Sequence, residues 1–332
     1  MTSPMSASGP TSFLVLLRGG LRRFLPAFVL GLGMALATLW LAPRPSGPGS
    51  ERSLVLYCSQ DQVFAEPVFA EFRRRTGIRV DPVFDSEAVK TVGLANRLIA
   101  ERSSPRCDLW WGNEELRPRQ LAGRGVLDPV RGFQTLGHRT RVLVVAAGAL
   151  QAPTSIRDLT NSAWHGRVSL AFPLFGSTAT HLHVLRATLG RDAWRVWCEA
   201  LAANRPFVEE GNSHVVRRVA RGEAWVGLTD SDDVRAAVRE GLAVKALPPD
   251  PWTLALPNTV AWVKSSVPDG PADRFVAFLA FPEIQERLRL SGALDPVSDG
   301  PVGPTPGLQP DWTVVLRDLD EAGVELERIF RR

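Results

Sequence analysis

Residues 53–84 read SLVLYCSQDQVFAEPVFAEFRRRTGIRVDPVF, and their pattern decides the fold. Ser53–Cys58 is a short apolar run of strand length. Phe64, Val68, Phe69 and Phe72 then recur at helical spacing on one face, with Pro67 placed to kink the helix. Gly77 is the residue type that ends helices, and residues 78–84 form a second strand. The alternation continues with a helix over 87–102, a strand over 107–111 and a short helix over 114–123. Strands alternating with helices predict an α/β fold with a largely parallel sheet.

A second α/β unit follows. Residues 141–147 and 167–172 read as strands, 178–189 and 192–202 as helices. Residues 213–221 and 232–240 are further helices flanking a strand at 224–228. A strand at 260–263, helices at 271–281 and 282–290, a Pro/Gly loop at 295–310 and one amphipathic helix over 311–330 complete the pattern.

The 332 residues are 45% hydrophobic and 22% charged, as in a globular protein. The net charge of +4 comes from Arg18, Arg22, Arg23 and Arg44, because residues 1–50 contain no acid. The remainder is neutral and lacks the basic footprint of a nucleic-acid binder. Residues 24–42, FLPAFVLGLGMALATLWLA, follow Arg22 and Arg23 and are followed by a Pro/Gly/Ser linker up to residue 50. This is the layout of a signal segment, and it is long enough to span a bilayer if retained. It predicts an exported body with a cytoplasmic N-terminus, periplasmic or tethered to the inner membrane. Cys58, Cys107 and Cys198 have no metal-ligand spacing and are expected to be buried free thiols.

The order of segments resembles the type II periplasmic solute-binding proteins of ABC importers, in the branch that binds ferric iron, aminoalkylphosphonates or thiamine. The resemblance lies in LVLYCSQD (54–61), FRRRTGIRV (72–80), SSPRCDLWWGNEE (103–115), AFPLFGSTATH (171–181), GEAWVGLTDSDD (222–233) and LPNTVAWV (256–263). It implies two lobes closing on a ligand in the cleft between them. One lobe would comprise residues 53–145 and 255–332, the other 148–250, with 141–147 and 257–263 crossing the hinge. A small ligand or metal ion, a permease and an ATPase are the implied partners, and no cofactor is required.

Ligands of open α/β sheets sit beyond the carboxyl ends of strands. The polar clusters there supply the ligand-binding candidates: Ser59, Gln60 and Asp61, then Glu87, then Asn113 and Glu114, then Ser177, Thr178 and His181, and finally Asp230, Asp232 and Asp233. Gly176, Ser177 and Thr178 suit an anion at a helix N-terminus, although Ser177 or Thr178 would equally serve as a simple cap. Trp111 at a strand exit is the best placed aromatic to touch a ligand, while Trp110, Trp225, Trp252 and Trp262 are read as packing residues.

Iron-binding relatives carry two adjacent tyrosines where this chain has Asp232 and Asp233, and its one tyrosine is Tyr57. The two aspartates remain candidate metal ligands, being hard oxygen donors. They would equally hold an ammonium group, or merely complement the helix dipole. Ferric iron or another metal with an anion, and a small phosphonate zwitterion, therefore both stay open as cargo. An enzyme is not expected, since G-x-S-x-G, P-loop, H-E-x-x-H and C-x-x-C motifs are all missing. The readings of other classes are a carboxylate metallohydrolase and a membrane-tethered sensor.

Overall fold

The computed structural model describes residues 53–84, 92–296 and 307–331. Strand β1 (Ser53–Cys58) lies between two parallel neighbours, β2 (Arg79–Phe84) and β3 (Leu109–Gly112). Helix α1 (Gln62–Thr76) returns the chain from β1 to β2 and buries Phe64, Val68, Phe69 and Phe72. Gly77 ends it with a left-handed φ of 71°, its N–H bonding the Arg73 carbonyl at 2.8 Å. Full burial of Phe72 contributes about 1.5–3 kcal/mol. Helices α2 (Val92–Ala100) and α3 (Leu116–Gly123) follow.

The second half of the sheet is built similarly. Strand β5 (Val168–Ala171) runs parallel to β6 (Phe207–Glu209) and β7 (Val226–Asp230). Helices α4 (Gly176–Leu189), α5 (Arg191–Ala203), α6 (Asn212–Ala220) and α7 (Ser231–Arg239) connect and cover these strands. Gly227 lets α6 lie directly on the sheet, for a Cβ there would fall 2.5 Å from Val215. Strands β4 (Phe133–Ala146), β8 (Val244–Ala246) and β9 (Ala255–Trp262) complete the order β2-β1-β3-β9-β4-β7-β5-β6, with β8 beside β4.

Strand β4 joins the halves. Residues up to Thr140 pair antiparallel with β9, and residues from Arg141 onward pair with β7. It is longer than the expected 141–147 because Phe133–Thr140, despite Gly137 and five charged or polar residues, still forms a ladder with β9. The short strands β6 and β8 were also not foreseen, being only three residues each.

Both faces of each half are covered by helices, as the near-continuous apolar strands require. Helices α8 (Pro271–Leu279) and α9 (Pro282–Ser291) pack with α1 on the first half. The expected helix over 311–330 is two, α10 (Trp312–Arg317) and α11 (Leu319–Phe330). These helices, grouped with residues 53–145 by the expected boundaries, touch both sides: the Arg119 guanidinium of α3 lies 5.1 Å from the Trp312 ring centroid of α10. Val315, Leu319, Leu326 and Ile329 pack against Leu182, Leu185, Trp194 and Trp197 of α4 and α5. Arg186 ties the arrangement together through Asp318 at 3.1 Å and Glu321 at 2.9 Å.

All three cysteines are buried free thiols. Tyr57 is a core residue whose hydroxyl donates to Glu101 at 2.8 Å. Trp225 departs from the packing role expected of it: it is 45% exposed, with the Arg167 guanidinium 3.3 Å over its ring. Among the described residues no helix is long and apolar enough to cross a membrane, and residues 24–42 lie outside them.

Candidate ligand cleft

The parallel strands of both halves end towards one cavity of about 400 Å³. The first half contributes Asp61, Gln62, Val63, Phe64 and Asn113 to its lining. The second contributes Phe172 to Thr178, Glu210 to Ser213, Arg217, Asp232, Asp233, Ala236 and Glu240, save Pro173 and Leu174. Arg139 enters from β4, the strand common to both halves.

Four helices begin at this cavity: α1 after Asp61, α4 after Phe175, α6 after Gly211 and α7 after Asp230. In α4 the Ala179 N–H is the first to close a helical bond, to the Phe175 carbonyl at 3.1 Å. The amides of Gly176, Ser177 and Thr178 are left outside the ladder. In α6 the His214 N–H bonds the Gly211 carbonyl at 3.2 Å, leaving the amides of Asn212 and Ser213. Such groups, with the positive ends of the helix dipoles, form an anion-binding surface. Neither Ser177 nor Thr178 caps α4; Phe175 occupies the cap position and makes no side-chain bond.

Below this surface lies a buried ionic network. Arg139 and Arg141 alternate along β4 and therefore share a face. Arg141 Nη1 donates to Asp230 Oδ1 at 2.6 Å, and Arg139 Nη2 lies 2.9 Å from Asp230 Oδ2. Arg139 Nη1 also donates to Asp232 Oδ2 at 2.7 Å. Asn212 Nδ2 donates to Asp230 Oδ2 at 3.0 Å and to Ser177 Oγ at 2.9 Å. Ser177 Oγ and Thr178 Oγ1 accept from Arg141 at 3.2 and 3.3 Å. Both hydroxyl oxygens are thus engaged by the network, while the amides of the two residues stay outside the helical ladder beside the cavity.

Asp230, Asp232 and Asp233 bring one oxygen each within 4.8 Å of one another, yet differ in state. Burial opposes ionisation of Asp230, but Arg139 and Arg141 outweigh it and hold its pKa below the usual carboxylate value. Burial raises Asp232 to about 6, assisted by Asp230 and Asp61 and opposed by Arg139. Asp233 is raised well above the ordinary range by burial and by Asp232 and Asp61. Asp232 Oδ1 is buried and has no hydrogen-bond partner among the described residues.

Six of the twelve sequence candidates line the cavity: Asp61, Asn113, Ser177, Thr178, Asp232 and Asp233. Asp230 lies behind it, fully buried. Ser59 and Gln60 are buried at the end of β1, Gln60 Oε1 accepting from Asn258 at 2.7 Å. Glu114 is turned inward to the start of α3, accepting from the Leu116 N–H at 2.6 Å and from Thr180 Oγ1 at 3.1 Å. His181 is fully buried and bonds the Trp252 carbonyl through Nε2 at 2.8 Å; burial, then Arg141, lowers its pKa to about 3. Trp111 is likewise core, edge-on to Phe69 and Phe275, with Nε1 donating to Asn258 at 2.7 Å. Glu87 lies outside the described residues.

Arg139, which lines the cavity, and Arg141 behind it are the site residues that sequence reasoning missed. The available signal was two arginines at alternate positions leading into an apolar strand, a pattern that demands buried acids on a neighbouring element. Asn212, Phe172 and Phe175 were missed with them.

Residues 54–293 match the family model of the bacterial extracellular solute-binding proteins. The chain belongs to that family. An uncharacterized protein of Haemophilus influenzae is 22% identical over 247 residues, covering 66% of this solute-binding protein and 70% of its relative. Among solved structures, iron-bound HitA from Pseudomonas aeruginosa has a TM-score of 0.69 at 21% identity, over 84% of this chain and 99% of that one. A ferric binding protein from Campylobacter jejuni has a TM-score of 0.71 at 18% identity, over 83% and 99%. AfuA from Actinobacillus pleuropneumoniae, with fructose-6-phosphate bound, has a TM-score of 0.69 at 19% identity, over 85% and 97%. These likenesses show a two-lobed type II periplasmic-binding-protein fold, in which β4 runs from one half of the sheet to the other. Members of this family are extracytoplasmic, bind small solutes and work with ABC permeases rather than catalysing reactions.

Proposed function

We propose that the cleft captures a small organic anion, a phosphate or phosphonate ester bearing a hydrogen-bond donor, and presents it to a permease and its ATPase. The observation that carries this reading is the convergence of four helix N-termini on one cavity beside Arg139. The amides of α4 and α6 would hold the oxyanion, and Asp232 Oδ1 with Asp233 would accept from a hydroxyl or ammonium group. Closure of the lobes around the solute supplies the shape that a permease distinguishes from the empty form. No bond is made or broken in this scheme. Residues 24–42 would export the body, either as a cleaved leader or as an anchor, which the mass of the mature protein decides.

A second reading, ferric iron or another metal as cargo, draws on the Asp230, Asp232 and Asp233 cluster. It is the weaker reading because Asp230 has both oxygens engaged by arginines and Asp232 has one. A cation there would sit beside two guanidinium groups in a low-dielectric site. Thermal unfolding of the purified chain with phosphate, 2-aminoethylphosphonate, a hexose 6-phosphate, thiamine, divalent metals and ferric citrate separates these cases. Stabilisation by the phosphorus oxyanions is the expected result. Stabilisation by a metal alone would overturn the anion reading in favour of the second.

A further inference from the structure

We infer that the solute carries a hydroxylated carbon body about the size of a sugar, whose carbon face lies on Phe172 and Phe175 and whose far end is read by Arg217 and Glu240. This rests on the proposed reading of the cleft as an oxyanion site and assigns the remainder of the ligand. The cavity volume of about 400 Å³ falls in the range for small organic ligands, roughly 300–1,000 Å³. A lone oxyanion or metal ion would leave most of that space to water.

The walls beyond the anion-binding amides are of a different kind. Phe172 and Phe175 are half-buried, with ring centroids 5.5 Å apart and planes inclined by 33°. Their remaining apolar surface faces the cavity and gains from contact with carbon rather than with an ion. From Asp233 the lining continues along α7 past Ala236 to Glu240, two helical turns or about 10 Å away. Arg217, one turn beyond Ser213 on α6, meets it there, with Nη2 and Oε2 3.5 Å apart. Both side chains are half-exposed, 52% and 55%, so donors and acceptors remain for ligand hydroxyls. The small Ala236 side chain leaves the floor between the two poles open.

The chemistry is therefore an oxyanion head on the helix N-termini, a carbon face on an aromatic pair, and hydroxyls at a paired cation and anion. A phosphorylated sugar or polyol has all three, whereas inorganic phosphate has only the first. Calorimetric titration of the full chain in mild detergent with inorganic phosphate, phosphoethanolamine and a hexose 6-phosphate tests this. The hexose phosphate should bind at least about tenfold more tightly than inorganic phosphate, a difference of about 1.4 kcal/mol. Arg217→Gln, Glu240→Gln and Phe172→Ala should each remove much of that gain while leaving phosphate affinity within about twofold. The two charge substitutions are at exposed positions and spare the fold. Equal affinity for phosphate and hexose phosphate, or a gain untouched by all three substitutions, overturns the inference and leaves the anion site standing. Failure of all three phosphates to bind overturns the anion site itself and the inference with it.

Discussion

Arg141 and Asp230 are register partners across the β4 and β7 ladder, with Nη1 and Oδ1 2.6 Å apart and neither side chain accessible to solvent. Removing one partner leaves an uncompensated buried charge, whereas replacing both with apolar groups removes the desolvation cost as well. Asp230→Leu alone should therefore cost about 3–5 kcal/mol in urea unfolding, and Arg141→Met with Asp230→Leu should recover part of it, buried Arg139 then keeping only Asp232 as its partner. A single-substitution cost below about 1 kcal/mol would contradict the buried-pair account.

Asp232 makes the opposite contribution. Its folded pKa of about 6 lies above the ordinary carboxylate value of 3.8, so the folded state holds a proton that the unfolded chain has released. Stability falls wherever the folded state binds more protons as pH rises. This group should therefore make the ligand-free protein less stable between about pH 4 and pH 6, by about 1–3 kcal/mol. Asp61, Asp230, Asp233 and Arg139 are the charged groups that face it. Urea unfolding at pH 4.5 and pH 7.5 checks the sign, and Asp232→Asn should flatten the difference. An unchanged slope in that variant would assign the pH dependence to other groups.

The parts of this architecture legible in the sequence are those set by local pattern. The apolar runs of β1 and β3, the helical spacing of Phe64, Val68 and Phe72, and Gly77 at a helix end are all local signals. Asp61, Ser177, Thr178, Asp232 and Asp233 were legible because strand exits in α/β sheets converge by topology. What was not legible depends on pairing at long range. Arg141 and Asp230 are 89 residues apart, and only the register of β4 on β7 sets them opposite one another. Glu114 and His181 sit within a turn or two of true lining residues but point inward, a choice made by packing against Thr180 and Trp252. The apolar stripe of 311–330 indicated a buried face without naming its partner.

Asp295 pins the point where β4 changes sheet halves. Its carboxylate accepts from Thr140 Oγ1, Ser231 Oγ and Arg235 Nη1, each at 2.6 Å, and its N–H donates to the His138 carbonyl at 2.8 Å. Thr140 is the last β4 residue on β9, and Ser231 opens the helix that carries Asp232 and Asp233. Asp295→Ala should therefore loosen α7 relative to the hinge and weaken solute binding by about tenfold or more, as displaced binding groups do. X-ray scattering with and without solute should show a larger change in radius of gyration in this variant than in the parent. Unaltered affinity and scattering would reduce Asp295 to a surface hydrogen-bonding residue.

Leu326 is fully buried among the α4, α5 and α11 side chains, far in sequence from the core that it completes. Leu326→Ala removes apolar surface and leaves a cavity, for a cost of about 2–5 kcal/mol. Because α10 and α11 pack on α4, and α4 presents Gly176, Ser177 and Thr178 to the cleft, the loss should appear first in the second lobe. Hydrogen exchange should show amides of α4 and β5 opening in the variant at denaturant concentrations where those of α1 and β1 remain protected. Exchange that rises equally in both sets would mean that the two lobes unfold as one cooperative unit and that the C-terminal helices stabilise the whole body.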